Sequence, residues 1–261
     1  MSALTLTNAA ATKANPAPDR VGALAAGAPE GSLKVGGVTP FSATDYPGKL
    51  AAVVFVQGCP WRCGYCHNPH LQTRTSTSPL AWADVLLRLR HRVGLIDAVV
   101  FSGGEPTIDP ALADAMREVR ALGFGVGLHS AGIYPRRLVE LLPLVDWVGL
   151  DVKAPWLNYD AITGMVDSAR HARSSAEAVL ASGVMHEFRT TIHPGLHTEP
   201  DILGLAQTLS TMGVRHYALQ VFRATGCGDD RLNAMSTVGY PGAGLLAQVA
   251  NLFETFTLRH A

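Results

Sequence analysis

The chain has 261 residues, 48% of them hydrophobic and only 16% charged, which is enough apolar material for one large core and too much for a disordered polypeptide. Its 21 basic and 21 acidic residues cancel, giving no basis for nucleic acid or an anionic membrane surface as the main partner. No apolar run reaches the roughly 18 residues of a transmembrane helix, and no charged segment followed by an apolar one marks a secretory leader.

Residues 1–32 are rich in Ala, Pro, Thr and Gly and read as a disordered N-terminal extension. From Leu33 onward, apolar runs bounded by Gly, Pro or Asp alternate with stretches of helical spacing. That is the rhythm of βα units and a parallel sheet. The runs predict strands over 51–57, 97–103, 124–130, 147–153, 187–193 and 217–223. The stretches between them carry apolar residues at helical spacing, and several stop at Gly. Six such units make about three-quarters of an eight-unit barrel. A core domain is expected over 33–225. Residues 226–261, with AGLLAQVANLFETFTLRH, read as a C-terminal helical tail.

In parallel barrels the reacting residues collect at the C-terminal ends of strands. The loop after the first strand holds Cys59, Cys63 and Cys66, and GGEP (103–106) follows the second. His129 and Ser130 end the third, Asp151 and Lys153 the fourth, His193 the fifth and Arg223 the sixth. Strand phase therefore brings these groups to one rim.

The cysteine spacing is C-x3-C-x2-C. Three thiolates can hold three irons of a 4Fe–4S cluster and leave the fourth open to a small molecule. Structural zinc is the alternative, with His67 or His70 as a fourth ligand, although zinc sites are usually built from two separated pairs. Cys227 lies far downstream and reads as an ordinary thiol. Four cysteines with three clustered also argue against a disulfide framework and for a reducing, cytoplasmic setting. Gly103 and Gly104 have no Cβ to keep a ligand away, and Glu105 offers an acceptor to an ammonium group.

The cysteine triplet after a first strand, with Tyr65 before its last member, resembles the signature of radical S-adenosylmethionine (SAM) enzymes. Ser102-Gly103-Gly104-Glu105-Pro106 resembles the motif that holds the methionine end of SAM in that family. More specifically, GGVTPFSATDYPGKLAAVVFVQGCPWRCGYCHNP (36–69) resembles the opening of the activating proteins of anaerobic ribonucleoside-triphosphate reductases. Pyruvate formate-lyase activases are close relatives. The resemblance covers residues 33–225.

That resemblance implies an α/β fold, a partial (β/α)6 TIM-like barrel of the radical SAM type, with a 4Fe–4S cluster and SAM as cofactors. Cys59, Cys63 and Cys66 would bind the cluster. The reduced cluster would cleave SAM to methionine and a 5′-deoxyadenosyl radical. The radical would take a hydrogen atom from a backbone glycine of the reductase, with flavodoxin or ferredoxin as electron donor. Tyr65 would sit against the cluster and near adenine, with His67 and Asn68 approaching SAM or shaping the loop. Gly103, Gly104 and Glu105 would hold the methionine end, and Ser130 the ribose or carboxylate. Asp151 and Lys153 resemble the D-x-K pair of glycyl-radical activases. Strand phase leaves Arg223 two readings, contact with adenine or the partner's backbone, or an ordinary rim residue bonding a neighbouring carbonyl, and His193 shares the second. Trp61, Trp156 and Leu157, as apolar rim residues, have two readings: ordinary packing, or a seat for the partner's glycine loop. Pyruvate formate-lyase activase has an Asp where this chain has His129, which puts a monovalent-cation site in doubt. Val238-Gly239-Tyr240 echoes a glycyl-radical motif by coincidence. Two alternatives stay open. One is activation of pyruvate formate-lyase or another glycyl-radical enzyme. The other is radical chemistry on a small molecule or RNA, as in a 7-deazaguanine-type synthase.

Overall fold

The computed structural model describes residues 31–260. The expected extension over 1–32 lies, but for its last two residues, outside them. Among the described residues, eight strands form one sheet in the order β1 to β8. β1 (Val35–Ser42) runs antiparallel to β2 (Ala51–Val56). From β2 onward the strands are parallel: β3 (Ala98–Gly103), β4 (Gly125–Ser130), β5 (Trp147–Asp151), β6 (Met185–Ile192), β7 (His216–Val221) and β8 (Thr255–Arg259). The curled sheet is a partial TIM-like barrel: β1 and β8 stand at its two ends and do not pair with each other.

Helices α1 (Trp82–Arg90), α2 (Leu112–Ala121), α3 (Pro135–Leu141), α5 (Ser168–Ser182), α6 (Glu199–Thr211) and α8 (Ala243–Ala250) cover its outer face, while the short α4 (Tyr159–Thr163) and α7 (Asp230–Ala234) stand against the loop that follows β2. Alternation along the strands sorts the side chains. Val54, Val56, Val99, Phe101, Leu128, Val148 and Phe188 join the large helix-packed core. Ala51, Val53, Ala98, Val100 and Trp147 fill the lumen with Tyr46.

The lumen is partly filled from below. The loop joining β1 to β2 turns back into the barrel floor, where Tyr46 stacks on Trp147 with ring centroids 5.1 Å apart. Gly127 makes room for it, since a Cβ there would lie 2.9 Å from Val100 and 3.2 Å from Tyr46. Gly149 does the same for a buried guanidinium: its Cβ would lie 2.8 Å from Cζ of Arg189.

Three expectations need correction. β1 was not expected, because VGGVTPFS has two glycines and a proline. Such a run is tolerated at a sheet edge, where Pro40 has no ladder bond to lose. The fourth strand ends at Asp151 rather than 153. The C-terminal tail is not wholly helical. α8 stops at Ala250, and Thr255–Arg259 alternates polar and apolar residues and pairs with β7 as an eighth strand.

Candidate active site

A cavity of about 230 Å³ opens at the C-terminal ends of the strands. All three clustered cysteines line it, with Tyr65, His67 and Asn68 from the same loop. The loop is pinned along its length. The Gly58 and Cys59 N–H groups donate to the carbonyls of Leu71 and Gln72, and the Arg62 N–H donates to the carbonyl of Thr163, the last residue of α4. The Arg62 guanidinium donates to the Cys59 carbonyl at 2.6 Å. Trp61 is buried edge-on against Tyr159 at 5.8 Å, so it anchors the loop rather than facing a partner. Tyr65 is also buried, and its hydroxyl has no hydrogen-bond partner among the described residues.

Burial, with the nearby Glu105 charge, pushes the Cys59 thiol up to about 12, and burial raises Cys63 as well. Bare thiolates are penalised here. A bound metal centre offsets that penalty and deprotonates coordinating thiols outright. Among the described residues, no three His, Cys, Asp or Glu side chains gather tightly enough for a single metal ion. Ligands to separate irons of a cluster stand further apart than ligands to one zinc, so the donor set fits the cluster better.

The GGEP turn closes the next wall. Gly103 and Gly104 line the cavity, but their missing Cβ atoms serve the fold first. Gly103 has φ +119°, and a Cβ would lie 2.5 Å from the Val56 nitrogen. A Cβ on Gly104 would collide with the Gly58 carbonyl. The turn is therefore clasped directly against the cysteine loop, and the Glu105 N–H donates to that same Gly58 carbonyl at 2.8 Å.

Glu105 itself is fully buried and does not line the cavity. Its Oε1 accepts from the Thr107 hydroxyl (2.6 Å) and the Ser130 hydroxyl (2.8 Å), and its Oε2 accepts from the Ala131 N–H (2.8 Å). Burial raises its pKa, and these bonds oppose the rise. The carboxylate ties β3 to β4 behind the wall. Ser130, which does line the cavity, is held from behind by Glu105 and in turn accepts from the Gly132 N–H at 2.9 Å.

The far wall carries charge. Asp151 and Lys153 both line the cavity, with Lys153 Nζ 3.8 Å from Asp151. The sequence reading missed their neighbour Arg189, directly across the ladder from Asp151. Arg189 Nε donates to Asp151 at 2.9 Å, with the side chain only 8% exposed. Burial works against the Asp151 charge, but Arg189 and Lys153 prevail and lower its pKa. Burial likewise opposes the Lys153 charge. Tyr65, Cys63 and Asp151 around it still hold its pKa well above the ordinary value.

The floor holds His129, whose Nε2 donates to the Asp45 carbonyl at 2.8 Å. Asp45, Thr191 and Gln220 also line the cavity and were not anticipated. The available signal for Arg189 and Thr191 was strand phase, since they share a face with each other in the run EFRTTIH.

Other expected residues fall elsewhere. Arg223 is exposed and outside the cavity; its backbone carbonyl accepts from His67 at 3.0 Å. His193 is buried against Phe222, with Nδ1 accepting from the Gly195 N–H and Nε2 donating to the Leu232 carbonyl. Trp156 packs on Tyr159, whereas Leu157 is 99% exposed at the rim. Cys227 bonds the Gly64 carbonyl through its thiol at 3.4 Å, behind the cysteine loop.

A family model described as the radical SAM superfamily matches residues 53–207, from β2 through most of α6. The chain belongs to the radical SAM superfamily. Members of this superfamily use a 4Fe–4S cluster and SAM, and the cysteine loop and adjoining cavity suit both. A candidate glycyl-radical enzyme activating enzyme of Methanocaldococcus jannaschii is 29% identical over 77% of this chain and 85% of its own length. The pyruvate formate-lyase-activating enzyme of Clostridium pasteurianum is 34% identical over 42% of this chain, and the match spans only 48% of that enzyme. Among solved structures, QueE from Escherichia coli has a TM-score of 0.53 at 16% identity, covering 88% of this chain and 93% of its own. SuiB from Streptococcus suis bound to its precursor peptide SuiA has a TM-score of 0.61 at 14% identity, over 79% of this chain and 48% of that one. These two likenesses establish the fold alone. Among the described residues, no helix is long and apolar enough to cross a membrane.

Proposed function

We propose that this protein is a glycyl-radical enzyme activase whose target is an anaerobic ribonucleoside-triphosphate reductase. Cys59, Cys63 and Cys66 would hold three irons of the cluster and leave one for SAM. When bound, the reduced cluster supplies the electron that splits SAM into methionine and a 5′-deoxyadenosyl radical. The chain's own residues then have three tasks: to hold SAM, to exclude solvent, and to admit a glycine to within reacting distance.

Lys153 presents its ammonium group to the SAM carboxylate, with Ser130 and the Gly103–Gly104 edge beside it. Tyr65 and His67 stand on the cluster side, where Tyr65 offers a flat apolar face to adenine. Glu105 braces Ser130 from behind. Arg223, exposed on the rim, suits contact with the partner rather than with adenine. Leu157, exposed on the rim as well, is a second such contact. Flavodoxin or ferredoxin would supply the electron.

The observation that carries this reading is the charge inventory of the cavity. Two side chains lining it are permanent cations, Lys153 and Arg189. Arg189 is consumed by two contacts to Asp151, at 2.9 and 2.8 Å, and Lys153 is assigned to the cofactor. Among the described residues lining the cavity, no further permanent cation is left for an anionic small molecule, whereas the backbone of a glycine loop needs none. The match to the Methanocaldococcus relative over most of both chains supports the activase class. The reductase as target rests on the resemblance of residues 36–69. The test is anaerobic: reconstituted, reduced protein is mixed with SAM and the reductase, and the electron paramagnetic resonance spectrum is recorded. A glycyl-radical doublet is expected. SAM cleavage without a doublet, while pyruvate formate-lyase gives one, would move the target to that enzyme.

A further inference from the structure

Lys153 is the cation on which this reading of the cavity depends, yet it lies two residues beyond the end of β5. The last ladder bond on this stretch runs from the Val152 N–H to the Arg189 carbonyl, at 2.8 Å. Past that point, side chains take over the main chain. The Lys153 N–H donates to the Tyr159 hydroxyl at 3.1 Å, and the Lys153 carbonyl accepts from His197 Nε2 at 2.8 Å. Both polar groups of one peptide segment are thus gripped from outside the sheet.

His197 is built for this bond. It is 2% exposed, in the loop between β6 and α6, and 44 residues from Lys153 in sequence. A carbonyl only accepts, so Nε2 carries the proton. Nδ1 is buried with no hydrogen-bond partner among the described residues, so a second proton there would find none of them to bond. Burial accordingly lowers the ring's pKa and keeps it neutral. The backbone of His197 is fixed as well. Its N–H donates to the His193 carbonyl at 2.9 Å, and its carbonyl accepts from the Tyr240 hydroxyl at 2.8 Å. The segment after α7 is thereby connected to the cavity wall through one imidazole.

We propose that His197 is a positioning residue: its Nε2–H holds the Lys153 peptide so that the ammonium group points between Asp151 and Tyr65. Nζ lies 3.8 Å from the Asp151 carboxylate and 5.6 Å from the Tyr65 ring centroid. Without the clamp, the Lys153 carbonyl would be left without its buried donor and the peptide would be free to rotate. The inference rests on the reading that Lys153 meets the SAM carboxylate.

The two amide side chains separate positioning from mere packing. Gln places its NH2 near the position of Nε2, and Asn near that of Nδ1. SAM binding is measured anaerobically by calorimetry on reconstituted protein, with iron content and melting temperature recorded for every variant. Lys153→Met should weaken SAM by about tenfold or more, as expected for a lost charge-assisted contact. His197→Asn should weaken it about fivefold, the worth of one neutral hydrogen bond. His197→Gln should stay within about twofold of the wild type, because its donor is kept. The rate of SAM cleavage at saturating SAM should be unchanged in both, so the defect appears in KM. Should His197→Asn fail to fold, His197→Phe keeps the ring volume without the donor and is expected to weaken SAM equally. Wild-type affinity in His197→Asn or His197→Phe, with Lys153→Met impaired, would overturn the clamp. So would equal weakening in Gln and Asn variants of normal iron content. Wild-type affinity in Lys153→Met would instead overturn the reading of Lys153 and the inference with it.

Discussion

Replacing His129 by Gln should flatten the acid limb of the stability profile. His129 is 9% exposed, its Nε2–H is committed to the Asp45 carbonyl, and its ring stands edge-on to Trp147 at 5.6 Å. Burial, and then the positive charge of Arg189, lower its pKa from 6.5 to about 4, against the pull of Asp45 and Asp151. The unfolded ring takes a proton near its ordinary value, and the folded ring does not until about 4. Between those limits the unfolded state binds more protons, so stability falls as pH falls. Each pH unit between the two values is worth about 1.4 kcal/mol, so the whole window is worth about 3 kcal/mol. That is a sizeable share of the roughly 5–15 kcal/mol that holds a domain together.

Gln at this position keeps an N–H donor for the Asp45 carbonyl and does not titrate. The assay is urea unfolding of the cluster-free chain at intervals across this pH range, wild type against His129→Gln. Other histidines whose pKa burial lowers, such as His67 and His197, add slope of the same sign to both proteins, and the difference isolates His129. The wild type should lose about 3 kcal/mol more than the variant on going from neutral pH to about pH 4. Parallel profiles would refute the argument that this ring is held neutral in the lumen.

Glu105→Ala should act first on stability. It strands the Ser130 hydroxyl, the Ala131 N–H and the Thr107 hydroxyl in a buried site, at about 3–5 kcal/mol in all. A thermal melt should show a drop of roughly 10 °C, and an unchanged melt with weakened SAM affinity would return Glu105 to the ligand side of the wall. Gly104→Ala forces a Cβ onto the Gly58 carbonyl, so the cysteine loop and the turn must separate. Poor iron incorporation on reconstitution is expected, and normal incorporation with a normal melt would show that the clasp is dispensable. Cys63→Ala should abolish the cluster's absorbance and all SAM cleavage; cleavage retained with normal iron content would remove Cys63 from the ligand set.

Six parallel strands were legible because each is a short apolar run closed by a turn residue, and βα units repeat that signal. β1 and β8 were not. Each takes its place through a single neighbour, and in β8 the change from helical to alternating spacing falls within a few residues of α8. The cysteine loop was legible because its ligands are close in sequence. The charged wall was only half legible: Asp151 and Lys153 share a strand end, but Arg189 comes from the next strand and is placed by register alone. Asp45 enters from a loop at the opposite end of the barrel, and only the space Gly127 leaves for its neighbour Tyr46 hints at that loop. Glu105 shows the reverse case. Its motif pointed to a ligand, and the structure turns its carboxylate inward to brace Ser130.

The central claim is that this cavity takes a hydrogen atom from a glycine of a protein partner. The most direct measurement uses an anaerobic ribonucleoside-triphosphate reductase labelled with α-deuterated glycine, mixed anaerobically with the reduced, reconstituted protein and SAM. The 5′-deoxyadenosine formed is then analysed by mass spectrometry. One deuterium in that product, appearing together with the glycyl-radical signal, is the predicted result. Unlabelled 5′-deoxyadenosine formed in full yield would contradict the account and place the abstracted hydrogen elsewhere.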